Sequence, residues 1–407
     1  MAERRFSPKR TVLYAALWGV LVSQGWLPLL GDEPLARLGD PAASATRKTS
    51  RDLAFAEAVE GAAPPGRQLL RLLQGSREEV LHDAIEIQRH VLATLEDQGA
   101  ESGDTRARLN ALIAEAHAPS TALAGEHPVP SRANWTREAL FLLASKLALV
   151  AFGLALATSR IRVFRTLLRD DRAGSPWHFE DGIGVFVRGD VWNRLYFLAL
   201  SWGSTQGFAP AFGQSPIGNM LEAWGTLFAS LPLLWLVQRH LVDARAGSWA
   251  ESFGLKVGFR RATGVAACAL AIDLVGTQAL GWGAWALGLA SNWAEGFDER
   301  LVWGTQANAL LAGLDYVVWT PAIEELAFRG ILYYSLRNRL GPMAAALTTA
   351  GFFAGLHFYS LPGFLMTAWS GLVWALAFER LRSVVPGIAA HAVYNLLYVA
   401  ELLLLYR

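Results

Sequence analysis

The sequence predicts an all-α protein, a polytopic transmembrane helix bundle of about eight or nine spans with a soluble helical insert after the first. Three observations predict it. The 407 residues are 53% hydrophobic yet 17% charged, too apolar for an ordinary soluble chain of this size and too charged for lipid throughout. Apolar runs of bilayer-spanning length recur along the chain, interrupted by one long polar stretch from Gly31 to about Trp135. Sixteen tryptophans suit the interfacial anchoring that lipid-embedded helices use at their ends. A net charge of +1, with no concentrated basic stripe, argues against a nucleic-acid partner. The single cysteine, Cys268, excludes an intrachain disulfide and reads as a small packing residue in an apolar run.

Taken in order, Arg4, Arg5, Lys9 and Arg10 precede an apolar run from Thr11 to Leu30, the first span. It is longer than a signal-peptide core and no small-x-small cleavage pattern follows directly, so it reads as an uncleaved anchor with a cytoplasmic amino terminus. In the polar stretch, Ser76-Arg-Glu-Glu79 has the form of a capping box. Behind it Val80, Leu81, Ala84, Ile87, Val91 and Leu95 recur at helical spacing, predicting a helix from Arg77 to about Glu96. A shorter helix is expected over Thr105 to Ala116, followed by a linker marked by Ala118-Pro119 and the Pro128-to-Pro130 stretch.

Further apolar runs lie near 139–157, 195–212, 221–237, 265–290, 305–323, 343–358, 361–378 and 384–405. Basic clusters test their orientation. Arg160, Arg162, Arg165 and Arg169 follow the second run; Arg239, Arg245, Lys256, Arg260 and Arg261 follow the fourth; Arg329, Arg337 and Arg339 follow the sixth; Arg380 and Arg382 follow the eighth. All alternate correctly with a cytoplasmic amino terminus, which puts the insert and the acidic loop of Glu295, Asp298 and Glu299 outside the cytoplasm. The chain thus divides into an anchor over 1–30, an extracytoplasmic helical insert over 31–135, a first part of the membrane domain over 136–262 and a membrane core over 263–407.

Candidate chemistry crowds into that core. Charged carboxylates in a membrane segment are costly, so Glu324 and Glu325 in Pro321-Ala-Ile-Glu-Glu-Leu-Ala-Phe-Arg329 mark a functional site. Glu325 and Arg329 lie one helical turn apart and can pair, while Glu324 points about a quarter turn away and is left to act. Phe353-Ala-Gly-Leu-His357 ends the next span, and His391-Ala-Val-Tyr-Asn395 places an imidazole and an amide on one face of the last. Peptide hydrolysis needs a base for water, donors for the developing oxyanion, and exclusion of bulk solvent. Glu324 with His357 can supply the first, and the N–H groups of His391 and Asn395 the second. Each residue also has a plainer reading: Glu325 with Arg329 as a buried structural ion pair, and a lone intramembrane Asn395 as an interhelical hydrogen bond.

The three patterns together resemble the CAAX protease and bacteriocin-processing (CPBP) family of intramembrane glutamic endopeptidases, whose signature is Glu-Glu-x-x-x-Arg, Phe-x-x-x-His and His-x-x-x-Asn. Glu324, Glu325, Arg329, Phe353, His357, His391 and Asn395 match every position in order. The stretch from Gly371 to Arg380, followed by Ser383 to His391, also resembles the helix-turn-helix joining the last two motifs. The resemblance covers about Val265 to the carboxyl terminus. It implies that Glu324 and His357 activate water, that His391 and Asn395 stabilise the oxyanion, and that no metal or other cofactor takes part. It further implies a membrane-associated protein or peptide substrate cut near a terminus; the compact spans, without eukaryote-like extensions, point to a bacterial inner-membrane location.

Rival chemistries fit less well. A zinc protease could recruit His357, His391 and Glu324, yet no His-Glu-x-x-His helix exists. Rhomboid-type chemistry lacks its Gly-x-Ser-Gly. Presenilin-type chemistry would need Asp273 and Asp315, but Gly-x-Gly-Asp is absent and interhelical contacts explain both more simply. The rival of another class is a non-enzymatic scaffold, immunity protein or transporter.

Overall fold

The computed structural model describes residues 8–30, 41–74, 76–97, 99–117, 134–158, 175–205, 224–289 and 293–407, among which regular structure is helical throughout. Proline opens many of the helices, because its fixed φ suits a first turn where an N–H has no partner to lose. Thus α1 runs Pro8–Leu30, α2 Pro41–Glu60 and α3 Pro64–Gln74. They are followed by α4 Arg77–Asp97, α5 Gly103–His117, α6 Trp135–Thr158, α7 Phe179–Thr205 and α8 Gly225–Val237.

The membrane-like part continues with α9 Phe259–Ala286 and α10 Gln306–Leu314, the latter capped by the Thr305 hydroxyl. From α10 the chain stays helical to Tyr333 but widens twice into π-turns, Asp315–Trp319 and Glu325–Tyr333, around the single turn Thr320–Glu324. Pro321 begins that turn, and a widened ladder is one way a helix accommodates a residue without an N–H. Then come α11 Tyr334–Gly355, α12 Leu361–Leu381 and α13 Val385–Tyr406. α11 is broken at Gly341, whose φ of 73° only glycine adopts freely, and Pro342 restarts it.

Every expected apolar run that lies among the described residues falls on a helix, but they are not equivalent. Four helical stretches are long and apolar enough to cross a bilayer: Trp135–Leu156, Phe259–Ala286, Leu361–Leu381 and Val385–Tyr406. Charges at Arg188, Asp190 and Arg194 interrupt α7, and α8 is short. The run near 195–212 is described only to Thr205, while the linker near Ala118 to Pro130 and the basic cluster Arg160 to Arg169 lie outside the described residues. Large side chains such as Phe141, Phe152, Phe259 and Trp285 are exposed, an apolar coat suited to lipid. The apolar helices make this an integral membrane protein.

Among the described residues the chain forms two compact units, one of Met1–Leu30, Ala148–Ser291 and Thr305–Leu396, the other of Gly31–Leu147, Asn292–Gly304 and Leu397–Arg407. In the second, α2, α4 and α5 bury Leu53, Leu81, Ala84, Ile85, Leu109 and Leu112. The predicted capping box is present: the Ser76 amide donates to Glu79 at 2.5 Å and the Glu79 amide to the Ser76 hydroxyl at 3.3 Å. Helix α4 covers the predicted range, and α5 starts two residues early; α2 and α3 were not expected. This unit recruits the end of α13, since Tyr406 donates to Asp52 at 2.9 Å and Trp135 to the Leu404 carbonyl at 2.8 Å.

The first unit is held by close helix crossings. A side chain at 189 would strike the Leu233 side chain of α8 and one at 276 the Trp369 indole of α12, so these glycines make room for a facing side chain, while one at 371 would press on the Ala350 backbone of α11, where glycine lets two helices approach. Polar bonds join helices as well: Ser370 donates to Asp273 at 2.7 Å across the α9–α12 crossing, and Thr226 of α8 to Asp315 at 2.9 Å. Both aspartates are therefore interhelical contacts, as expected.

Candidate active site

The acidic pair divides as helix geometry dictates. Arg329 Nη1 donates to Glu325 Oε1 at 2.7 Å across one turn, and both side chains are fully buried. Arg329 Nη2 reaches the Gly371 carbonyl at 3.2 Å, and its guanidinium lies 4.4 Å over the Phe353 ring and 5.2 Å over Trp374. Arg329 is thus no loop charge, which corrects its place in the orientation count: the buried carboxylate beside it, not the cytoplasm, is what it answers. Gly387 is part of the same packing, because a Cβ there would run into the Glu325 carboxylate.

Glu324 turns the other way. Its side chain keeps 22% exposure and lines a cavity of about 630 Å³ together with His357, Ala327 and Phe328. His357 leaves the end of α11, where its Nδ1 lies 2.7 Å from the Phe353 carbonyl and its ring packs edge-on against Phe353 at 4.7 Å. A carbonyl can only accept, so Nδ1 carries a proton in this contact, and in the neutral tautomer with that hydrogen bond Nε2 is the acceptor nitrogen.

His391 is buried between the two glutamates. Its Nδ1 lies 3.4 Å from Glu325 Oε1 and its Nε2 3.9 Å from Glu324 Oε2, close enough for electrostatic contact, but neither is a hydrogen bond. The imidazole stacks on Trp374 at 4.1 Å and 25°. Asn395, one turn on, donates Nδ2 to the Tyr316 carbonyl at 2.8 Å, so one amide proton is spent on the interhelical contact that its plainer reading anticipates.

The structure therefore brings together Glu324, Glu325, Arg329, Phe353, His357 and His391, while Asn395, one turn beyond His391, is bonded to the Tyr316 carbonyl and is not among the cavity-lining residues. Sequence reasoning missed Trp374, which fixes the His391 ring, and Gly387. It also missed Asp190 and Arg194 of α7, which line the cavity. The available signal was the one used for Glu324: charges inside an apolar run. Among the described residues no group of three His, Cys, Asp or Glu side chains has the spacing to hold a metal ion.

Residues 306–397 match the family model for Rce1-like type II CAAX prenyl endopeptidases. This segment is similar to the Rce1-like family. The match bears out the CPBP resemblance and takes in all seven motif residues. It covers under a quarter of the chain, leaving α1 to α9 outside the Rce1-like segment. No curated protein and no solved structure matches the chain significantly.

Proposed function

We propose that this protein is a metal-independent intramembrane endopeptidase in which Glu324 activates water to cut a membrane-associated protein or peptide near one terminus. The observation that carries the reading is the unequal division of the acidic pair. Glu325 is committed to Arg329, whereas Glu324 faces a cavity beside His357 and His391 with no cation at hydrogen-bond distance among the described residues.

In this reading Glu324, assisted by His357 Nε2, takes a proton from water as the hydroxide attacks the scissile carbonyl carbon. Negative charge moves to the carbonyl oxygen, where His391 and the second amide proton of Asn395 donate to it. Collapse breaks the C–N bond, and the protonated Glu324 returns its proton to the leaving amine. One water is consumed, and an acid and an amine are released. Trp374 stacks on the His391 ring, and Arg329 compensates Glu325 so that its charge does not compete.

The same reading places the amino terminus in the cytoplasm of a bacterial inner membrane, with the insert outside. The decisive experiment follows cleavage of lipid-anchored peptides by the full-length protein in liposomes. Glu324→Gln and His357→Ala are expected to abolish cleavage, and zinc chelators to leave it intact. Unchanged cleavage in both variants overturns the protease reading, and chelator-sensitive activity restored by zinc replaces it with a metalloprotease.

A further inference from the structure

Arg194 reaches the cavity wall from α7, outside the Rce1-like segment, and its setting is unlike that of a surface arginine. Its Nε donates to Asp190 Oδ2 at 2.7 Å, one turn earlier on the same helix. That same oxygen accepts from Trp18 Nε1 of α1 at 2.7 Å, so the carboxylate holding the arginine is itself held by a second helix. The guanidinium also lies 5.2 Å over the ring of Phe358, the residue after His357. Phe358 sits in the left-handed region, with a φ of 55°.

These contacts use the Nε edge and one face of the guanidinium. Among the described residues Nη1 and Nη2 make no hydrogen bond, although the side chain is only 16% exposed. A planar pair of N–H donors in a cavity suits two oxygens of one planar anion, and a carboxylate is the peptide-borne group of that shape. A merely structural pair between Asp190 and Arg194 would not need the orienting bond from Trp18, nor a place on the wall shared with Glu324 and His357.

We infer that Arg194, oriented by Asp190 and Trp18, binds a carboxylate of the substrate beside the catalytic group and so makes the enzyme select peptides with an acidic end. This rests on the endopeptidase reading for the nature of its ligand. The carboxylate has two sources, the free α-carboxylate of the chain end or an Asp or Glu side chain near it.

The test measures binding of a dye-labelled, S-farnesylated peptide ending in three aliphatic residues to full-length protein carrying Glu324→Gln in lipid nanodiscs. Three forms are compared: the free acid, the terminal amide, and an amide whose last residue is glutamate. The acid is expected to bind on the order of tenfold more tightly than the plain amide, as a charge-assisted bidentate contact does. Arg194→Gln should erase that difference and Arg194→Lys retain part of it. Tight binding of the glutamate-ended amide would assign the site to side-chain carboxylates; weak binding would assign it to the chain end. Either result supports the carboxylate site. Equal binding of all three forms, absence of binding, or a preference that survives Arg194→Gln overturns it. The acid-to-amide comparison keeps Arg194 and does not depend on either arginine variant folding. Cleavage by the wild-type protein is scored separately. An acid preference without cleavage removes the endopeptidase reading and keeps the site, whereas cleavage of acid and amide at equal rates with equal binding does the reverse.

Discussion

Two carboxylates in the same helical unit, the buried Glu379 and the partly exposed Glu324, have opposite surroundings. Glu379, near the end of α12, accepts from Tyr333 at 2.5 Å and Arg382 at 3.1 Å and lies 3.4 Å from Arg337. It is fully buried and over-supplied with donors. Glu324 has an imidazole 3.9 Å away and an open cavity. Both burials carry a desolvation cost, but only at Glu379 do direct partners offset it. A carboxylate so neutralised holds helices together, and one left uncommitted at a cavity is available for chemistry.

Glu324→Gln breaks the comparison most severely. Cleavage is expected to fall by about 10²- to 10⁴-fold, the usual worth of a general base, while the thermal midpoint of the reconstituted protein stays unchanged. A parallel loss of stability would make Glu324 another structural carboxylate. Glu379→Ala should do the converse, costing about 3–5 kcal/mol in unfolding because Tyr333 and Arg382 lose their acceptor and Arg337 its nearby counter-charge, with cleavage per folded molecule retained. Glu325→Ala should cost both, since it strands Arg329 and removes the carboxylate 3.4 Å from His391 Nδ1; denaturation and active-site-normalised rates separate these effects.

A smaller perturbation sharpens the contrast without removing any charge. Gly387→Ala inserts a methyl group against the Glu325 carboxylate and should destabilise by about 1–3 kcal/mol through overpacking, with a measurable fall in cleavage. Smallest is Ser76→Ala at the start of α4. It should lower the stability of the other unit by about 1 kcal/mol through loss of the cap, leaving cleavage where it was.

Much of this was legible in the chain, for local reasons. The Glu325–Arg329 pair follows from four-residue spacing on any helix, and the Ser76 cap from its own three neighbours. The α2 and α3 helices were not legible, because their mean composition is polar and their apolar residues serve contacts with distant segments such as Trp135 and Leu405. The π-turns at Asp315–Trp319 and Glu325–Tyr333 were hidden as well, since a widened ladder leaves no mark on residue types. Hydropathy marks α7 only by the apolar run beginning near Leu195, because Arg188, Asp190 and Arg194 break the pattern over its first half.

By itself the sequence determined an all-helical membrane protein, the order of its motifs, and which acidic residue pairs with arginine, because hydropathy and helical periodicity act within a few residues. Only the tertiary structure decided that Glu324 shares a cavity with His357, that Trp374 holds the His391 ring, that Asn395 bonds to the Tyr316 carbonyl, and that Arg194 enters from a helix outside the motifs. Those meetings depend on how helices far apart in the chain cross and rotate, which is set by glycine contacts and packing between them.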